Sequence, residues 1–324
     1  MKHPKWDWTN GACYTGVVAL IEISKNKIYE DRLITIGESL NWNTGPKRFY
    51  ADDSCVGQTY SILYQRNKDP KMIAQWKKLA DSIIAQPHTE SLEWKNVMQH
   101  REWAWCNALY NGSTALVYLS TATGEQKYLD IATKLWWKTT EYLYSKEDSL
   151  HFRDVSYFIK REENDKIVFW LRGNGWVLVG LVRVLENMPS DYPDRKKFEN
   201  LYQEIAAKII SLQQKDESWY ASLLVPTNFN IKETSGTGFY TYALLWGMNN
   251  DLLNKVQTWP VIKNAWAMLR ISVKENGMLG NVQPIGAASD KVNENSTEVY
   301  GTGAFLLTGS ELYKFINQNK KLAK

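Results

Sequence analysis

The sequence predicts an all-α chain folded as an (α/α)6 barrel, a single domain over residues 1–324 with six inner helices closed into a ring and backed by outer ones. Three observations predict it. Polar or Gly-rich motifs precede small, apolar helices near residues 11, 57, 108, 175, 237 and 302, at spacings of 46 to 67 residues. Between each pair lies one longer helix with a charged face, so helices apolar all round alternate with amphipathic ones, as stacked helix pairs require. Trp and carboxylates concentrate in the motifs, at one end of every other helix. An open α-solenoid would not demand that; a closed ring gathers all six motifs at its mouth.

The elements follow in order. Trp6-Asp7-Trp8-Thr9-Asn10-Gly11 leads into a helix over 12–23, with Asp7 or Thr9 placed to cap it. A second helix spans 30–40, with Ile34, Ile36 and Leu40 apolar. The stretch Phe49 to Gly57, carrying Asp52 and Asp53, opens a helix to about residue 64. Pro70 suits the first turn of an amphipathic helix ending at 84. The Trp- and His-rich stretch 94–105 ends in Trp105-Cys106-Asn107, which opens a small-residue helix to about 121; a long amphipathic helix over 125–143 follows. Residues 151–154 and 166–170 read as short strands about a turn. Gly173-Asn174-Gly175 reads as a turn, its glycines free for positive φ or close approach, ahead of a helix over 176–185. An amphipathic helix over 195–214, a loop with Trp219, and a helix over 239–246 opened by Glu233 to Gly238 come next. A helical stretch over 250–273 broken near Pro260, a loop over 276–286, and a last helix over 304–315 opened by Glu298 to Gly303 complete the chain. Six inner helices ask for six outer ones, and five are legible. The sixth would precede Trp6 or follow Phe315; the tail 317–324 is short and polar, so a lost or trimmed N-terminal helix is expected.

Composition narrows the function. Lys+Arg total 39 against 35 Asp+Glu, a net charge of +4 with the basic residues scattered, which gives no nucleic-acid stripe. No apolar run is long enough to span a membrane. Cys13, Cys55 and Cys106 fit neither a disulfide framework nor a metal spacing, and read as small buried residues. His3, His88, His100 and His151 form no zinc motif, so neither metal nor cofactor is expected. The start Met1-Lys2-His3-Pro4 lacks an apolar signal region, which leaves a cytoplasmic chain or a periplasmic one trimmed of its leader. The 15 Trp, beside 18 Tyr and 9 Phe, exceed what a core needs. Carbohydrate clefts are a common use of that excess.

Trp170 and Trp176 flank Arg172 and a helix start. Indole faces, a guanidinium and free N–H groups suit an anionic sugar, whose ring stacks and whose carboxylate pairs in a fork. The structural alternative is a buried Trp pair beside a surface Arg. Asp52 and Asp53 open an inner helix; one carboxylate caps, and a doublet is more than a cap requires. Glu233 and Glu298 each precede a Gly-Thr helix start and read as residues holding those turns. Asn107 can cap or hold water but cannot act as an acid.

Taken together, Asp-Trp-Thr-Asn-Gly, Asp-Asp-x-x-x-Gly-Gln, Trp-Cys-Asn-Ala-Leu, Trp-x-Arg-Gly-Asn-Gly-Trp, Glu-Thr-Ser-Gly-Thr and Glu-Val-Tyr-Gly-Thr-Gly-Ala-Phe-Leu-Leu resemble glycoside hydrolase family 105, the unsaturated rhamnogalacturonyl hydrolases and their glucuronyl relatives. The motifs run in order from Trp6 to Leu307. The resemblance implies a metal-free (α/α)6 barrel that removes a 4,5-unsaturated uronic acid from the non-reducing end of lyase-generated oligosaccharides. By that resemblance Trp105 is a sugar-stacking residue, Trp170 and Arg172 bind the unsaturated ring and its carboxylate, and Trp8 lies at the cleft. Arg153 falls near a family His. Asp53, or failing that Asp52, matches one active-site Asp. Asn107 falls where the family has its catalytic Asp. That departure implies either an engineered inactive form or a natural member with altered or no activity, and it keeps a non-catalytic sugar-binding protein as the alternative. A sugar epimerase on the same scaffold would need more His around the cavity.

The chemistry so implied is hydration of a vinyl ether. An acid protonates C4, positive charge develops at C5 and the ring oxygen, water adds at C5, and the hemiketal collapses to expel the aglycone. The acid must be held neutral near working pH, as desolvation by a Trp-lined pocket does.

Overall fold

The computed structural model describes residues 2–93, 101–162, 164–225, 232–286 and 292–322. Residues 94–100 of the Trp- and His-rich stretch lie outside them. In chain order the helices are α1 (Trp8–Ser24), α2 (Lys27–Ser39), α3 (Gly57–Asn67), α4 (Lys71–Ile84), α5 (Thr114–Thr123), α6 (Lys127–Leu143), α7 (Leu171–Asn187), α8 (Arg195–Ser211), α9 (Thr234–Asn249), α10 (Lys255–Ile271) and α11 (Val299–Leu322). Odd-numbered helices pack each on the next, and α11 returns to α1, so the ring is closed. Among the described residues five even-numbered helices back it, giving the expected (α/α)6 barrel.

The alternation follows from side-chain pattern. Every residue of α7 from Leu171 to Leu185, and of α9 from Thr234 to Met248, is buried. The outer α4 and α6 instead bury one stripe, as Met72, Ile73, Trp76, Ala80 and Ile83 do in α4. The ring closes where α1 and α11 touch backbone to backbone. A Cβ on Gly16 would lie 2.4 Å from the Gly303 carbonyl oxygen, and one on Gly303 would lie 2.5 Å from that of Ala12. Inside the barrel, Arg183 of α7 is buried, donates from Nε to Gln58 of α3 at 2.7 Å, and lies 4.5 Å over the Tyr118 ring.

Three expectations need correction. Gly173-Asn174-Gly175 is not a turn ahead of α7 but its first turn, and neither glycine has positive φ. They are small for packing: a Cβ on Gly173 would meet Cys106 Sγ and the Trp170 ring at 3.2 Å, and one on Gly175 would meet Phe239 at 3.4 Å. Helix α10 runs unbroken through Pro260. That residue sits early in the helix, and the i−4 carbonyl it leaves unpaired belongs to Val256 on the exposed first turn. Lastly, the short strands are Tyr144–Ser145 and Leu150–His151, paired antiparallel, while Arg161–Ile167 and Trp170–Ser222 form only isolated bridges. Asn174 fixes the second strand, accepting from His151 N at 2.8 Å and donating to His151 O at 3.0 Å.

Candidate active site

The inner helices present their first turns at one end of the ring, and local chemistry fixes each. Asp7 caps α1, accepting from Thr9 N at 2.9 Å and Thr9 Oγ1 at 2.6 Å, which orients Trp8. Glu233 caps α9: it accepts from Ser235 N, Ser235 Oγ, Gly236 N and, across the mouth, Gln283 N. Glu298, ahead of α11, holds Lys2 and His3. Glu233 therefore holds its turn, as its position before a Gly-Thr start suggested, whereas the Glu298 carboxylate ties down the N-terminal segment through Lys2 and His3 instead.

Asp52 and Asp53 share a short 3-10 turn, Ala51–Ser54, and part company in function. The Asp53 carboxylate accepts from Lys47 N at 2.6 Å, while its own carbonyl accepts from Gly45 N at 2.8 Å, so it pins the 45–47 loop. Burial raises its pKa, and the Lys47 amide pulls the other way. Asp52 points elsewhere. Its Oδ1 accepts from Asn111 Nδ2 at 2.5 Å, and Tyr50 hydrogen-bonds to it as well. Burial pushes its pKa up to about 6 against the pull of those two bonds, with the charges of Asp53 and Asp7 adding to the rise.

Asn111 N donates to the Asn107 carbonyl at 3.1 Å, so Asp52 is linked to position 107 through Asn111. Sequence reading missed Asn111, although its spacing of four from Asn107 was a usable signal. It also missed a π-helical turn over Leu109–Ser113 that begins two residues after Asn107. Such turns gather at functional positions. Here it frees the Tyr110 carbonyl for Gln58 Nε2, at 3.3 Å, and for the Thr114 hydroxyl. Trp105 packs against Tyr50 with centroids 5.2 Å apart. The Arg153 carbonyl accepts from Cys106 N at 2.9 Å, and its guanidinium pairs with the buried Asp154. Asn107 Oδ1 accepts from the Cys106 thiol at 3.3 Å.

The facing wall is built on a cation. Arg172 is 1% exposed. Its Nη1 donates to the carbonyls of Gln283 and Pro284 and to Tyr300 OH at 2.7 to 3.0 Å, and Nη2 reaches Gly286 O at 3.3 Å. Trp170 lies against it, 4.5 Å from ring to guanidinium, and donates its indole N–H to Gln283 Oε1 at 3.1 Å. Arg172 Nε is buried with no hydrogen-bond partner among the described residues. The surface-Arg alternative is thus excluded. Tyr300 carries the wall onward: it stacks on Trp8 at 5.3 Å and meets Trp176 edge-on at 6.1 Å, while Trp176 touches Tyr110 at 4.8 Å. Trp176 is 1% exposed and serves as the hub beneath Trp8. The two walls meet where Cys106, beside Asn107, packs on Gly173, beside Arg172. Trp8, Trp105, Asn107, Asp52, Arg153, Trp170, Arg172 and Trp176 therefore form one connected set, with Asp53 behind it.

This mouth is that of a sugar-processing helical barrel. Residues 1–316 match the model of Glycosyl Hydrolase Family 88, and the chain belongs to that family. It is 38% identical over 322 residues to an unsaturated 3S-rhamnoglycuronyl hydrolase of Formosa agariphila, covering 95% of this chain and 84% of that protein. A solved family 88 glycosyl hydrolase from Bacteroides vulgatus superposes with a TM-score of 0.89 at 27% identity, over 97% of this chain and 94% of that one. A family 105 hydrolase from C. acetobutylicum shares the fold, with a TM-score of 0.77 at 21% identity over 95% and 94% of the two chains.

Proposed function

We propose that the chain receives the non-reducing end of an oligosaccharide at the barrel mouth, that this end is a 4,5-unsaturated uronic acid, and that the site is built to release it by hydrating C4=C5. One observation carries the reading: a buried carboxyl at Asp52, raised to about 6, hydrogen-bonds Asn111 one turn after Asn107, and the other wall of the mouth holds a buried cation whose Nε–H has no partner among the described residues. Trp105 and Trp8 offer faces to the planar ring. The Arg172 Nε–H and the second Nη2–H are the donors left for the uronate carboxylate, since the remaining Nη hydrogens already hold the 283–286 backbone and Tyr300. Arg153 and Trp176 set the floor and rim. Asp52, ionised above about pH 6, stabilises the positive charge that develops at C5 and the ring oxygen. The proton delivered to C4 belongs to position 107, where an amide cannot supply it.

The chain as it stands is accordingly a binder with impaired turnover. Asn107→Asp is expected to raise turnover of an unsaturated disaccharide by roughly 10²–10⁴-fold, followed as loss of absorbance of the conjugated double bond. If neither form consumes any unsaturated uronide across a panel of lyase products, the reading fails. The second reading, a sugar-binding protein without catalysis, draws on Asn107 itself; it predicts binding by both forms and turnover by neither.

A further inference from the structure

A cavity of about 810 Å³ lies outside the ring, between the end of α2, the loop over 40–48 and the flank of α4. Its lining includes the half-buried face of Trp6, the amides of Asn41, Asn43 and Gln75, and the cations Arg48 and Lys78. No carboxylate lines it. Arg48 donates from Nε to Ser82 Oγ at 2.8 Å, which leaves its other N–H groups unassigned, and neither Arg48 nor Lys78 has an ion-pair partner among the described residues. The rest of α4 differs: Lys77 pairs with Glu125 and Asp81 with Lys127, so its charges on the α6 side are matched while those on the cavity side are not.

The wall is also held in a costly shape. Asn41 and Trp42 both have positive φ, 48° and 56°, which is unfavourable for two consecutive residues with side chains. Three contacts impose it. The Trp42 ring fills the space over Gly37, where a Cβ would come within 2.4 Å. Tyr60 OH donates to Asn43 O at 3.0 Å. Asp53 holds the Gly45 and Lys47 amides. That last tie joins the cavity loop to the turn that carries Asp52.

An indole face, amides donating and accepting, and unmatched cations on a rigid wall are what an acidic sugar chain requires. We infer that this cavity is a second saccharide site, which takes a uronate-bearing segment outside the mouth. The choice of saccharide rests on the proposed function; the site itself does not. The occupant is the distal part of the oligosaccharide whose end lies in the mouth, or a separate acidic chain.

Saturated hexagalacturonate tests the site without involving the double bond. Titrated calorimetrically, it should bind the full chain, more weakly as salt rises. Arg48→Ala with Lys78→Ala should weaken binding about 10-fold or more, since charge-assisted bonds are lost. Trp6→Ala should act in the same direction, and Asp52→Asn should leave binding within about 2-fold. Both cations are exposed, so the double variant should unfold with the parent, which a denaturation curve checks. In the Asn107→Asp form, a raised KM for an unsaturated hexasaccharide but not for a disaccharide identifies the substrate's own distal residues; unchanged KM for both, with hexagalacturonate binding lost, identifies a separate chain. Absent binding, or binding that the double variant does not reduce, overturns the inference whether or not the mouth proves catalytic.

Discussion

On one wall of the mouth a carboxyl is buried with an amide and a phenol for company; on the other a guanidinium is buried among four carbonyl and hydroxyl oxygens. Asp52 is under-solvated, and its pKa rises to about 6. Arg172 is nearly saturated, and what it holds is backbone. The first arrangement leaves a group poised to change protonation near neutrality. The second fixes shape and leaves the Nε–H and one Nη2–H without a partner among the described residues. The contrast teaches that burial alone does not mark a reactive group; how completely its partners satisfy it does.

The contrast can be broken at several points. The largest effect is expected from Asn107→Asp, which places an acid at position 107 and, on the proposed function, should raise turnover by the roughly 10²–10⁴-fold given above. Next comes Arg172→Ala. It strips the 283–286 carbonyls and Tyr300 of their donor and should cost about 1–3 kcal/mol in denaturant unfolding for each buried acceptor left unsatisfied. Arg172→Lys should recover only part of that, because an ammonium cannot span the same fork. Full stability in the Ala variant would mean that the wall does not depend on its cation.

Asp52→Asn addresses the other wall. A carboxyl raised from 3.8 to about 6 favours the fold while protonated, an advantage present below about pH 4 and lost as pH rises through about 6. Above that the ionised, buried group costs roughly 3 kcal/mol, at 1.36 kcal/mol per unit. The Asn variant should therefore gain stability over the parent between pH 4 and 7 and hold that gain at pH 8. A stability difference independent of pH would assign Asp52 an ordinary pKa. Asp53→Asn should be the mildest, about 1 kcal/mol through a weakened Lys47 bond, with turnover of the Asn107→Asp form unchanged in pH profile. A displaced pH profile would exchange the roles of the two aspartates.

Much of this was readable from the chain. The ring, its alternation and the gathering of motifs follow from periodicity, because an inner helix must be apolar all round and its ends must satisfy their own N–H groups. Trp170, Arg172 and Trp176 stood out because aromatic and charged residues beside glycine are wasteful in a core, and Trp8, Trp105 and Asn107 because the motifs that carry them resemble the family's. What stayed hidden depends on packing partners far along the chain. Nothing near Arg172 reveals that the Gln283–Gly286 backbone, over 100 positions on, occupies its Nη atoms. Gly173 and Gly175 looked like turn glycines because nothing local distinguishes a free φ from a need for space against Cys106 and Phe239. The resemblance favoured Asp53 of the doublet, and nothing local to the pair reveals that Asp53 holds the 45–47 loop while Asp52 meets Asn111.

The Gly16–Gly303 contact bears on how the molecule is made. Trp8 meets Tyr300 only when the first helix and the last are side by side, with nearly the whole length of polypeptide between them. Closing so large a circuit is a late and entropically expensive event. On the ribosome the aromatic rim stays unfinished until α11 emerges, so truncated products carry an exposed flank of α1 and are natural prey for chaperones and proteases.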